Sequence, residues 1–577
     1  MEFRYDPSAG GFQMNMGGAQ KPRREKKPRK PIGSKGARIA INLAVTLVVG
    51  LGYFYINLPA LNPHAEEFYG FIFLLCLVYC GCAVLTSGFQ GTGAKGYFDF
   101  VKRQCKAPFF IVLALVVVGL IGSLTSWVVF RANAYQKLLT VQPGDFASEV
   151  DEISYDQIPM LDGASAQRLG DRKLGELADM VSQFEVANDY TQINYQGRPV
   201  RVTPLRYGDI IKWFNNRSKG LPAYLVIDMV TQNVEVVRLN DGMKYTTAEH
   251  FSRNLYLHLR FRYPTMMFEE PVFEIDESGT PYWVCAKREK TIGLFGGVTN
   301  HGAVLVNALT GESDYMEQVP EWVDHVYSAD LIIEQYDYYG RYHNGYWNSL
   351  FGQRDVTVTT QGYNYLAIGD DVWVYTGVTS VGGDESNIGF ILSNQRTKET
   401  HYYAIAGAEE FSAMGSAEGQ VQQMRYNATF PLLLNIADQP TYFMALKDAS
   451  QLVKMYAMVN VSQYQIVATG ASVMECEANY RAMLAKNGLI GETQAEVPQS
   501  EELHEKSGTI AEIRTAVING NSYYYLRFEG EDDFGVRAGA AGIPYAPLLS
   551  VGDEVTVLYR DVDVGQYWVD AYDVRLG

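Results

Sequence analysis

The first 130 residues alternate between charged stretches and long apolar runs. Residues 39–57 (IAINLAVTLVVGLGYFYIN), 68–87 (FYGFIFLLCLVYCGCAVLTS) and 107–130 (APFFIVLALVVVGLIGSLTSWVVF) carry no Asp, Glu, Lys or Arg over 19, 20 and 24 residues. About 20 helical residues cross a hydrocarbon core of roughly 30 Å, so the pattern predicts three transmembrane helices within residues 38–131. Buried helices of a soluble core are the alternative, but three uncharged runs packed this closely argue against it. The first run also sits behind a basic stretch, as in a signal peptide, yet no clean small-x-small site follows it. The pair Arg23-Arg24 lacks the apolar run that a twin-arginine signal needs directly after it.

Beyond residue 130 the periodicity changes. Residues 131–190 predict a short helical continuation, an acidic stretch and one amphipathic helix, RKLGELADMVSQF at 172–184. After that, short runs of alternating apolar residues separated by Gly, Asn and Asp predict strands. Four pairs of runs resemble one another: PAYLVIDMVTQNVEVVRL (222–239); PYWVCAKREK (281–290) with GAVLVNALTGESDYM (302–316); DVWVYTGVTS (371–380) with GFILSNQRTKETHYY (389–403); and PTYFMALKD (440–448) with LVKMYAMVNVSQYQIV (452–467). Each opens on Pro or Asp followed by an aromatic residue and reaches a polar turn around Asn, Thr or Gln, so a weak internal repeat is expected. Residues 487–506 are polar, acidic and proline-bearing, which predicts a linker. Residues 507–577 predict a separate small β unit with an Asn-Gly hairpin signal.

Charge places these parts in different surroundings. Residues 1–110 hold 14 Lys and Arg against 6 Asp and Glu, whereas the remaining 467 residues hold 34 against 59. The acidic bulk argues against nucleic acid as a partner. Lys21, Arg23, Arg24, Lys26, Lys27, Arg29 and Lys30, with Lys35 and Arg38, precede the first span; the loop at 58–67 has no basic residue; Lys95, Lys102, Arg103 and Lys106 lie before the third span. By the positive-inside rule the tail at 1–37 is cytoplasmic and everything after about residue 131 lies outside, which makes this a multi-pass plasma membrane protein. The seven basic residues of the tail are also candidate contacts for anionic lipid headgroups. Of six cysteines only Cys285 and Cys476 belong to the large outer region, so no disulfide framework is expected there, and two buried free thiols are favoured over one bridge.

The stretch at 281–312 carries a family resemblance. Val304, Val306, Asn307, Ala308, Thr310, Gly311 and Glu312 match the V-x-V-D-A-x-T-G-E hairpin of PepSY domains, with Asn307 where Asp is usual, and TAEHFSRNLYLHLRF (247–261) could supply the helix of such a unit. The chain thus resembles a multi-pass bacterial, Firmicutes-type envelope protein with PepSY-like repeats at 191–330 and a second α+β repeat region at 331–486. The resemblance implies an extracytoplasmic module associated with inhibiting or binding peptidases, or with envelope regulation, and not an enzyme. The last 70 residues resemble an OB-like barrel, a fold that hosts binding or assembly roles.

No catalytic pattern stands out. HEKSG (504–508) lacks the second His of a zinc motif, GSAEG (415–419) places Ser one position early for a nucleophile elbow, and GFQGTGAKG (88–96) lacks phosphate-loop spacing. The pairs Glu269-Glu270 and Glu409-Glu410 are expected on solvated faces or hairpin ends. The densest cluster is EQYDYYGRYHNGYWNSLFGQR (334–354), where Tyr338, Tyr339, Arg341, Tyr342, Tyr346 and Trp347 form a candidate partner-binding surface. Aromatic platforms grip peptides or stack sugars at little entropic cost; an inter-domain contact or a Tyr-rich core loop is the structural alternative. The sequence therefore predicts a membrane-anchored α+β protein without cofactor or metal. Three transmembrane helices precede mainly β extracytoplasmic repeats and a small C-terminal β-barrel. A non-enzymatic envelope scaffold or regulator with a protein partner is expected. The alternatives are a wall-glycan-binding protein and an accessory subunit of a transport or secretion complex.

Overall fold

The computed structural model describes residues 31–89, 93–150, 152, 158–382, 386–491, 494–495, 504–518, 521–531, 534–539, 543, 546–565 and 568–576. The chain divides into two compact units, one of residues 1–59 and 66–120, the other of residues 60–65 and 121–577.

Among the described residues three helices are long and apolar enough to cross a membrane: Lys35–Asn57, Glu66–Thr86 and Lys106–Ser126. The first begins where the Ser34 side chain accepts the Ala37 N–H, a standard N-cap. It pairs with the second through stacked Tyr53 and Phe71, 5.8 Å between centroids, and through Thr86, whose hydroxyl donates to Asn42 Oδ1 at 3.0 Å. Pro108 is tolerated in the third helix because it lies in the first turn, where its N–H would have no helical partner. That helix stops at Ser126, four residues short of the predicted end. Trp127 is extended, and a new helix runs Val128–Tyr135. The break has a cause. Ser126 Oγ accepts the Phe295 N–H at 2.8 Å, and Tyr135 Oη donates to the Ser126 carbonyl at 2.7 Å, so the last turn is held by groups outside the helix.

The second unit contains the same meander four times. In each sheet a short first strand is split in two, both halves pairing with one long second strand, followed by a third and a fourth strand, all antiparallel. The split strands are Phe184–Val186 with Thr191–Tyr195, Met267–Phe268 with Val272–Ile275, Thr357–Thr359 with Asn364–Ile368, and Asn427–Ala428 with Leu432–Ile436. Their second strands are Arg198–Tyr207, Pro281–Ile292, Asp371–Ser380 and Gln439–Lys447. A helix precedes each sheet: Gly163–Gly175, Leu255–Arg262, Ala329–Tyr342 and Glu410–Gln420. The first repeat's entry strand is therefore Arg198–Tyr207, separated from the run at 222–239 by an insertion carrying the helix Ile210–Asn216. The third sheet gains Val141–Gly144 in parallel at its edge.

The turn between third and fourth strands is the shared signature. Asp228 Oδ1 accepts the N–H groups of Val230 and Thr231 (2.8 and 2.7 Å), Asn307 Oδ1 those of Leu309 and Thr310 (2.9 and 3.0 Å), and Asn394 Oδ1 those of Arg396 and Thr397 (2.8 and 2.9 Å). In all three the Thr hydroxyl then accepts an N–H two residues on. The residue after that Thr has positive φ: Gln232 at 61°, Gly311 at 76° and Lys398 at 65°. Asn460 makes the looser fourth version, accepting only the Gln463 N–H at 2.8 Å. Short carboxylate and amide side chains mimic a backbone turn in this way, so Asn307 does what Asp228 does. One residue further, the N–H groups of Met229, Ala308, Gln395 and Val461 bond the carbonyls of Pro199, Pro281, Val372 and Pro440 at the start of each second strand.

Two cores result. The first and second sheets enclose Val202, Leu225, Phe273, Trp283, Cys285 and Val304. The third and fourth enclose Tyr375, Phe390, Leu433, Phe443, Met458 and Cys476, with the helix Val473–Lys486 adding Tyr480 and Leu484. Cys285 and Cys476 are free thiols in separate cores. The helix expected at 172–184 lies earlier, at Gly163–Gly175, because Asp162 caps it by accepting the Ser165 N–H; past Gly175 successive turns place Leu177, Met180 and Phe184 on the first core. The C-terminal region closes a five-stranded barrel in the order His504–Ile518, Asn521–Phe528, Gly535–Gly539, Trp568–Leu576, Glu554–Gly565, and back to the first. Its first strand begins inside the expected linker. The Asn519-Gly520 turn lies outside the described residues; Ile518 and Asn521 pair across the two strands.

Candidate functional site

The aromatic cluster sits on the helix Ala329–Tyr342, which Ser328 caps by accepting the Leu331 N–H. The helix is amphipathic, with Leu331, Ile332, Gln335 and Tyr336 buried. Asp337 fastens it to the third sheet: its Oδ1 accepts the Thr359 N–H at 2.9 Å and the Thr359 hydroxyl at 3.1 Å, while its Oδ2 takes Arg341 at 3.1 Å. After Tyr342 the chain makes one wide turn, Asn348–Gly352, ended by Gln353 at φ 48°. Asn348 locks this turn, donating to the Arg354 carbonyl at 2.9 Å and accepting the Arg354 N–H at 3.3 Å.

The six sequence-predicted residues divide into three groups. Tyr338 and Tyr339 are half-buried on protein: Tyr338 meets the Tyr135 ring at 4.8 Å and donates to Glu334 at 2.9 Å, and Tyr339 packs between Tyr336 and His343. These two rings pack against neighbouring elements of the same unit. Arg341 and Tyr342 line a cleft of about 500 Å³ with Leu350, Val381, Asn387 and Glu409. This is within the roughly 300–1,000 Å³ range of ligand pockets. Tyr346 and Trp347 continue outward, and Trp347 stacks on Phe351 at 6.0 Å and 14°. Trp347 and Phe351 are 64% and 80% exposed, very high for large apolar rings.

The cleft's remaining walls were not legible in the sequence. Val381 follows the second strand of the third sheet, Asn387 belongs to a short strand after it, and Glu409 immediately precedes the next helix. These are single residues of unremarkable type from three separate segments, and only the fold assembles them. Behind them Glu410 is fully buried, against the expectation of a solvated pair. It opens a helix instead of lying in a strand, and its carboxyl points beneath Gly377 beside the Asn387 amide and the Thr360 hydroxyl. Burial pushes its pKa up, an effect that its own backbone N–H and the nearby Asn387 and Thr360 groups only partly offset. The other pair behaves differently, since Glu270 accepts the Tyr256 hydroxyl.

The remaining motifs are accounted for locally. GSAEG lies within the helix Glu410–Gln420, and HEKSG forms the start of the first barrel strand and not a linker. The basic residues Lys21, Arg23, Arg24, Lys26, Lys27, Arg29 and Lys30 lie outside the described residues. Among the described residues no three His, Cys, Asp or Glu side chains converge as a metal site. No family model matches the chain, and no curated protein matches it.

Proposed function

We propose that the protein is a membrane-anchored, non-enzymatic scaffold or regulator of the cell envelope, which binds a protein partner through its outer region. The observation that carries this reading is the cleft walled by Arg341, Tyr342, Leu350, Val381, Asn387 and Glu409: apolar flanks with a few fixed polar groups suit a partner's side chains. An inward amino terminus and an outward region after about residue 131 are part of the proposal. Besides the basic residues, the loop between the first two spans supports them. Leu61 donates its N–H to Pro264 O at 2.8 Å, Asn62 its amide to Thr265 O at 2.9 Å, and His64 Nδ1 lies 2.9 Å from Leu294 O. These bonds support placing that loop and the second repeat on one side of the membrane. The helix-plus-meander order of each repeat favours the PepSY-like reading, and the barrel's strand order favours the OB-like one.

The test is site-specific photocrosslinking of the full-length protein in cells, with a photoreactive phenylalanine at Tyr342 or, as control, at exposed Tyr464. The proposal expects one discrete protein adduct from position 342, absent from 464 and lost when Leu350→Glu is added. Equal adducts from both positions, or an adduct indifferent to Leu350→Glu, would remove the cleft from the account.

A further inference from the structure

A second cavity, of about 230 Å³, lies where the first, third and fourth repeats meet. It falls just under the size of clefts that take drug-sized ligands, which suits a smaller molecule. Met160, Met229, Phe430 and Phe443 give it apolar walls, and Tyr363 and Tyr365 add two phenols with rings 5.6 Å apart. The split first strands open part of this space. Tyr363 stands in the break of the third repeat's first strand and Phe430 in that of the fourth's.

Arg201 reaches the cavity from the strand Arg198–Tyr207. Its Nε donates to the Leu161 carbonyl at 3.4 Å, Nη1 to the Tyr190 carbonyl at 3.0 Å and Nη2 to Gln192 Oε1 at 3.3 Å, all uncharged acceptors. A guanidinium carries five N–H groups, so one on each Nη is left over. Among the described residues no carboxylate forms an ion pair with it. Asp162 stands in the same wall, but Lys447 Nζ holds it at 2.5 Å. Burial lowers the Arg201 pKa, an effect that Tyr365 and Asp162 only partly offset. Taking a charge out of water without a partner of opposite sign is costly.

The fold does not demand that cost. Two residues past the carbonyl that takes the turn bond shared by the repeats, the other three place Trp283, Val374 and Tyr442, all buried. The first repeat has a cation there instead.

We propose that this cavity binds a small monocarboxylate with an apolar body. The carboxylate pairs with Arg201 through its spare N–H groups, beside the Tyr365 hydroxyl, and the body lies against Met160, Phe430 and Phe443. Guanidinium and carboxylate match in geometry and in charge, one against one. A phosphate dianion would meet Asp162 in the wall, with Lys447 already engaged. Because the walls come from both halves of the repeat array, an occupant ties the first repeat to the third and fourth. The site is separate from the cleft beside Tyr342, so the two proposals fail or stand independently.

Titration calorimetry of the full-length protein in detergent, with phenylacetate, phenylacetamide and inorganic phosphate as probes, tests this. Phenylacetate should bind saturably at one site per chain, and the amide and phosphate at least about tenfold more weakly. Arg201→Met should weaken phenylacetate by at least about tenfold. No saturable binding of phenylacetate, equal binding of the amide, or an affinity indifferent to Arg201→Met would overturn the proposal. Should Arg201→Met fail to fold, Tyr365→Phe, which removes only a hydroxyl, should weaken phenylacetate several-fold, and an unchanged affinity would overturn the proposal in the same way.

Discussion

Replacing Asn307 by Ala removes the acceptor of two backbone N–H groups, those of Leu309 and Thr310, and leaves the chain otherwise intact. Each such bond contributes about 1 kcal/mol net, and water re-solvates the exposed Thr310 N–H, so we expect a local loss of roughly 1–2 kcal/mol. Asn307→Asp keeps the acceptor and should cost under about 0.5 kcal/mol. In a chain with several cores a single melting temperature is not a defined quantity. The appropriate assay is hydrogen exchange of the full-length protein, following peptides over 296–316. Asn307→Ala should lower protection there by roughly 5- to 30-fold and leave the fourth sheet unchanged. Asn394→Ala should act at least as strongly on the third sheet, because the buried Asn394 amide also donates to Asp371 Oδ2 at 2.8 Å, and Asn460→Ala should be comparable on the fourth, because it removes the bond to Tyr480 Oη at 3.2 Å as well as the turn bond. If Asn307→Asp weakened protection as much as Ala, or Asn307→Ala did nothing, the common turn would not be what holds these repeats.

Gly311→Ala should be worse than Asn307→Ala, because φ is 76° and a Cβ would run into the Tyr245 ring; the same exchange peptides should lose a further several-fold of protection. Glu410 binds a proton in the folded state over a range where the unfolded chain has lost it, so its contribution to stability falls as pH rises through and above the ordinary carboxylate range. Glu410→Gln should therefore match wild type near about pH 4 and resist thermal inactivation better at about pH 8; a constant offset at both would refute this. Cys285 and Cys476 should stay unmodified by maleimide in the native protein and both react in denaturant without reductant, as burial raises both thiols and no bridge joins them.

Much of the architecture is carried by local signals. Uncharged runs announce the membrane helices, and the second, third and fourth strands announce themselves by alternation and by the Asx-x-x-Thr turn, as at Asn307 and Asn394. What escapes is structure fixed by tertiary contact. The split first strands have halves of only two to five residues, too short for periodicity to register. The cap at Asp162 hides in an acidic stretch, and the break at Trp127 depends on Phe295, far along the chain. The aromatic cluster was visible as composition, but which rings face protein, cleft or open space depended on where Tyr135 and Val381 come to lie.

The central claim is that the repeats stand outside the membrane on three helices. Protease treatment of intact protoplasts expressing the full-length chain, tagged at both ends, tests it most directly. Loss of the carboxy-terminal tag, with the amino-terminal tag preserved on a protected fragment containing the three helices, is the predicted result. Protection of the carboxy-terminal tag, or cleavage of the amino-terminal one, would contradict it.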